Sequence, residues 1–179
     1  IHSMLDDLKE AAYDPSMALI RQLVTEYVIF PLGSELIRAR HPAKIGGILF
    51  YGPTGTGKTL MVRAIASETK SIVMDLSPAV IGHKYLPKNE FEKMVAMVFK
   101  AAKAYAPSVI YIDECEKVFP AKKKKGKKGK GGGGGKKNDA GNPSRIKKAL
   151  VKWKGKWIDD TTRITIIGCT SEPAEGNIK

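Results

Sequence analysis

The chain has 179 residues, 42% of them hydrophobic, and a formal net charge of +13, enough for one domain with a real core. No apolar run approaches the roughly 20 residues of a membrane-spanning helix, and the first residues, Ile1-His2-Ser3-Met4, lack the basic-then-apolar start of a secretory leader. Cys115 and Cys169 are the only cysteines, which argues against a disulfide framework and fits a reducing compartment. The start is not Met and is read as that of a piece of something longer.

Residues 17–30 carry Leu19, Leu23, Tyr27 and Phe30 near helical spacing and predict an amphipathic helix, ended by Pro31. Leu36-Ile37 begins a second short helical turn before His41-Pro42. A strand is expected over 47–52, a helix over 60–70 and a second strand over 71–76. Residues 89–104 form a helix with Phe91, Met94, Val95, Val98 and Phe99 along one core-facing side. Residues 108–112, nearly all apolar, read as a parallel strand covered on both faces.

Residues 121–141 then interrupt the pattern with a lysine–glycine insertion containing five consecutive glycines. Lys122, Lys123, Lys124, Lys125, Lys127, Lys128, Lys130, Lys136 and Lys137 supply nine positive charges; without them the chain is at +4. The charge belongs to the insertion and not to the fold, so a nucleic-acid partner is not its natural reading. Such a segment cannot bury apolar surface and is expected to be disordered. It either attracts an acidic partner, such as nucleic acid or the acidic tails of tubulin, or is a solvated loop extension that costs little closure entropy. A helix from Pro143-Ser144 to about Lys154 and a fourth strand over 163–168 complete the chain. Strands alternating with helices predict a parallel three-layer α/β sandwich without internal repeats.

The most specific motif is Gly52-Pro53-Thr54-Gly55-Thr56-Gly57-Lys58-Thr59, which fits GxxxxGK[ST] between a strand and a helix that begins with Leu60. Glycines let backbone N–H groups turn inward around phosphates, and the helix N-terminus adds partial positive charge. Lys58 is expected on the β- and γ-phosphates of a nucleoside triphosphate, and the Thr59 hydroxyl on Mg2+. The third strand ends Ile112-Asp113-Glu114. Behind a phosphate loop, this pair predicts Asp113 holding Mg2+ through water and Glu114 polarising an attacking water as general base. The fourth strand ends Gly168-Cys169-Thr170-Ser171, where Thr170 or Ser171 either contacts the γ-phosphate and water or is a satisfied strand-end hydroxyl.

These segments resemble the AAA branch of the AAA+ ATPases. Residues 51–59 are similar to the family's GPPGTGKT with Thr54 replacing one Pro. Residues 106–114 resemble its aPsIIFIDE segment, and 167–173 its IGATNRP sensor segment, with Ser171 replacing Asn. The resemblance implies a three-layer P-loop NTPase sandwich, the AAA+ large subdomain, with ATP as the nucleotide. It divides the chain into a helical lead-in (1–45), the P-loop core to the acidic strand end (46–120), the insertion (121–141) and the remaining core (142–179). The C-terminal lid, fifth strand and arginine fingers are absent from the sequence. Because the first strand of that fold lies between the fourth and fifth, the phosphate-loop strand is expected to keep an open edge, and the chain to be weak alone. Lys84-Tyr85 occupies the place of an aromatic pore loop, stiffened here by Pro87.

Leu76-Ser77-Pro78, His83-Lys84-Tyr85, residues 94–102, Glu116-Lys117-Val118-Phe119 and residues 144–150 together resemble the IQ-motif-and-AAA-domain proteins. That group includes a subunit of the nexin–dynein regulatory complex of motile cilia. The closer resemblance implies a cytoplasmic, cytoskeletal setting in a ciliary axoneme, with axonemal or microtubule-associated partners and no membrane. Two functions stay open: an ATPase, or a nucleotide-binding scaffold in which ATP stabilises the fold and is rarely hydrolysed.

Overall fold

The computed structural model describes residues 15–42, 45–82, 84, 88–120, 144–159 and 161–172. The first fourteen residues, Tyr85 with Leu86 and Pro87, and the 121–141 insertion lie outside the described residues. Strands β1 (Gly47–Tyr51), β2 (Ile72–Asp75), β3 (Ser108–Ile112) and β4 (Ile164–Thr170) form one sheet in the order β1-β4-β3-β2. Every pairing is parallel. The helices are α1 (Met17–Val24), α2 (Phe30–Gly33), α3 (Glu35–Arg40), α4 (Lys58–Thr69), α5 (Pro78–Ile81), α6 (Lys88–Ala104), α7 (Cys115–Val118) and α8 (Ser144–Trp157).

The period-two alternation of the strands sorts the core into two layers. Ile110, Ile112 and Ile164 pack with Phe91, Val95 and Phe99 of α6 and with Ile146 and Leu150 of α8. Val109, Tyr111, Ile167 and Cys169 point the other way, onto Val62 and Ile65 of α4 and Val24 of α1. All five residues of β3 are buried, as befits a parallel strand sealed on both faces. Each such Ile, Val or Phe contributes about 1.5–3 kcal/mol by leaving water. The expected three-layer α/β sandwich is therefore the observed one. Among the described residues β1 is an edge strand, paired only with β4.

Two local expectations change. Pro31 does not end the first helix. Residues Thr25–Ile29 widen into a π turn, the Phe30 N–H reaches back to the Thr25 carbonyl, and the chain stays helical through Gly33. A proline ring collides with the carbonyl four residues back in a regular helix; the wider turn relieves that collision, and Pro31 is buried. Ser34 then caps α3, its hydroxyl accepting the Ile37 N–H. The fourth strand also runs to Thr170, two residues beyond its expected end.

Parallel strands put all four C-terminal ends on one edge of the sheet. Tyr51 is in register with Thr170, and Ile112 with Gly168, so the end of β4 lies between the ends of β1 and β3. Crevices at this edge, where strand order departs from chain order, are where open α/β sheets bind ligands.

Candidate phosphate-binding site

After β1 the Gly52 N–H donates to the Thr170 carbonyl at 3.3 Å, and the chain turns through Pro53, Thr54, Gly55 and Thr56 into α4. Gly55 and Gly57 have φ of +88° and +87°. A Cβ at either would touch nothing within 4 Å, so the left-handed backbone and not crowding calls for glycine. The Thr56 hydroxyl braces the turn by donating to the Pro53 carbonyl at 2.9 Å. Lys58 Nζ donates to the carbonyls of Gly52 at 2.7 Å and Pro53 at 2.8 Å, which holds the ammonium at the mouth of the loop. Thr59 follows in the first turn of α4, and Leu60 projects outward, 70% exposed. The nine predicted residues from Gly52 to Leu60 thus form one continuous bend ending on a helix N-terminus, where unpaired N–H groups favour an anion.

Across the β4 end stand the acids. The Asp113 backbone N–H donates to Ser77 Oγ at 2.8 Å, and Ser77, only 3% exposed, donates its hydroxyl and N–H to the Asp75 carboxylate. This ties the end of β3 to the end of β2. The Asp113 carboxylate accepts the Glu114 N–H at 3.0 Å. Glu114 has φ of +47°, unusual for a residue with a side chain. Its carboxylate pairs with Lys117 Nζ at 2.7 Å, and both side chains are about half exposed. That carboxylate is the leading cause that raises the Lys117 pKa.

Thr59 Oγ1 lies 3.4 Å from the Tyr111 hydroxyl. Tyr111, 8% exposed, shares its strand face with Asp113, two residues on. Burial, ahead of all other causes, raises its pKa far above the usual phenol value. At the end of β4 the two candidate hydroxyls separate. Thr170 is buried and its hydroxyl accepts the Glu172 N–H at 3.0 Å, whereas the exposed Ser171 accepts the Thr54 hydroxyl at 3.3 Å.

Sequence reasoning named Ser77 and Tyr111 only as parts of longer segments and gave neither a role in the site. Strand alternation puts Tyr111 beside Asp113, a signal present in the sequence; Ser77 lies 36 positions from Asp113 and carries no such signal.

The donor set fits a triphosphate with a hard cation. The ammonium of Lys58 and the α4 N-terminus suit phosphate oxygens, and the Thr59 hydroxyl and Asp113 carboxylate suit Mg2+. Among the described residues no group of three or more His, Cys, Asp or Glu could hold a metal. A cation here would draw the rest of its shell from water and phosphate oxygens, as Mg2+ ordinarily does.

Sheet, loop and acidic strand end together define an α/β P-loop NTPase fold. The model of the ATPase family associated with various cellular activities (AAA) matches residues 48–176, and the chain belongs to that family. It is 34% identical over 174 residues to Dynein regulatory complex protein 11 of Mus musculus, covering 96% of this chain and 19% of that protein. It is 32% identical over 160 residues to spastin of Gallus gallus, covering 88% and 23%. Among solved structures, the FIGL-1 AAA domain in complex with ADP superposes with a TM-score of 0.67 at 26% identity, over 91% of this chain and 49% of that one. The chain thus spans about a fifth to a quarter of the length of these curated relatives.

Proposed function

We propose that this chain is an ATP-binding domain that hydrolyses ATP with Mg2+. The observation that carries the reading is the opposition of the Lys58 ammonium, the Gly55–Gly57 loop and the Thr59 hydroxyl to Asp113 at the end of β3, across the end of β4. Lys58 and the N–H groups of the bend bind phosphate oxygens. Thr59 and Asp113 would hold the cation, which when bound neutralises charge growing on the phosphates. Glu114 takes a proton from the attacking water, and Ser171 orients that water. An arginine from a neighbouring chain or a segment outside this sequence would meet the transition-state charge. The test is Glu114→Gln in the full-length protein. ATP affinity should persist while Mg2+-dependent turnover is lost; equal turnover by the variant would remove Glu114 from this role.

A second reading, a nucleotide-binding scaffold with little turnover, is favoured by two contacts. Glu114 is engaged by Lys117, and Ser171 by Thr54. Saturable ATP binding without phosphate release above background would select it.

The proposed setting is a microtubule-based assembly, namely the axoneme of a cilium or flagellum and its nexin–dynein regulatory complex. The likeness to a protein named for a dynein regulatory complex supports it. Axonemal or microtubule-associated proteins would be the partners, with acidic tubulin tails meeting the lysine-rich insertion. Residues 121–157 hold fifteen of the 31 Lys and Arg and one of the 18 acids, leaving sixteen basic against seventeen acidic residues elsewhere. The exposed Lys148, Lys152, Lys154 and Lys156 of α8 extend that charge. Co-sedimentation with microtubules that survives removal of the tubulin tails would rule out the tail contact.

A further inference from the structure

We infer that Tyr111 is a positioning residue for the cation half of this site: its hydroxyl meets the Thr59 hydroxyl and holds it in place for a cation. The inference rests on the nucleotide-binding reading above.

The geometry begins with strand alternation. Val109, Tyr111 and Asp113 share the β3 face on which α4 packs, and Thr59 lies in the first turn of α4. This brings Thr59 Oγ1 to 3.4 Å from the phenolic oxygen. The side chain is 8% exposed, and a buried tyrosine hydroxyl needs a partner. Its polar neighbours on this face are Thr59, Asp113 and the Cys169 thiol.

A hydroxyl both donates and accepts, so one hydrogen lies between the two oxygens and Thr59 keeps at least one lone pair for a cation. The family segment aPsIIFIDE has Phe at this position, so the oxygen is a feature of this chain.

Partners that orient metal ligands change metal affinity by about 10- to 100-fold when removed. The test is calorimetry of ADP binding to the full-length protein, with Mg2+ and with EDTA, for wild type and Tyr111→Phe. The variant keeps the ring and its packing, and a thermal melt checks the fold. Affinity in EDTA should stay within about twofold, while the gain conferred by Mg2+ should fall about tenfold. A second variant, Thr59→Val, removes the other end of the contact, and adding Tyr111→Phe to it should cost little more. An undiminished Mg2+ gain in Tyr111→Phe, an equal loss in EDTA, or additive losses in the double variant would each overturn the inference. Wild-type protein that binds no ADP under either condition would instead overturn the functional reading on which it stands.

Discussion

Thr54 donates its hydroxyl to Ser171 across 3.3 Å, joining the phosphate loop to the end of β4 over 117 positions of sequence. Thr54 is where the loop departs from the family pattern GPPGTGKT, and Ser171 is one of three places, with Cys169 and Glu172, where the sensor segment departs from IGATNRP. Neither Pro in place of Thr54 nor Asn in place of Ser171 would reproduce a hydroxyl-to-hydroxyl bond, so these two departures act as one feature.

That coupling is measurable. Thr54→Pro and Ser171→Asn, singly and together, form a double-mutant cycle read by MgATP affinity. A net side-chain hydrogen bond predicts a coupling of about 0.5–1.5 kcal/mol, with the double variant better than the sum of the singles. Simple additivity would mean that the two residues act independently.

Ser77 should matter to stability more than its small side chain suggests. It is buried and joins the Asp113 N–H to the Asp75 carboxylate. Ser77→Ala leaves both groups short of a partner at a predicted cost of about 1–3 kcal/mol. A lowered urea midpoint with unchanged slope is the expected result. A midpoint within error of wild type would show that water replaces the hydroxyl.

Lys117 holds the carboxylate proposed as general base. Lys117→Gln should free Glu114 and raise turnover by the factor of about 1.5 to 5 that an exposed pair of about 0.2–1 kcal/mol implies. Added salt should raise wild-type turnover toward that of the variant, because screening weakens an exposed pair. A loss of turnover would mean that Lys117 positions Glu114 productively.

The two thiols give the fold an alkaline limit. Burial pushes Cys115 up to about 12 and Cys169 up to about 11, from an ordinary value of 9.0. Between the ordinary and the raised values the unfolded chain releases protons that the folded chain keeps. The stabilisation is therefore complete below about pH 9 and is lost as pH rises through the folded values. Each thiol contributes a fall of at most about 1.4 kcal/mol per pH unit. Denaturation midpoints at pH 8, 9 and 10 should decline less steeply for Cys115→Ala than for wild type, whatever the offset from its smaller side chain. Parallel slopes would refute the assignment.

Much of the fold and candidate site could be read locally. The GxxxxGK[ST] spacing located the bend that Gly55 and Gly57 make at positive φ, and apolar continuity located β3 to the residue. The Asp113-Glu114 pair was visible because it terminates that strand. Such features depend on residues a few positions apart, whose spacing alone sets which face they share. Pro31 shows where a local rule fails: one widened turn lets the helix continue past it, and no pattern in residues 17–30 announces that turn.

What the amino-acid order determined by itself was the run of strands and helices and the chemical types gathered at the strand ends. Tertiary structure alone decided which of those types meet. Thr54 with Ser171, Ser77 with Asp113, and Thr59 with Tyr111 are brought together by the β1-β4-β3-β2 order and by α4 crossing one face of the sheet. A hydrogen bond acts only within about 3.5 Å, so partners many positions apart are defined by how the strands assemble and not by their places along the chain.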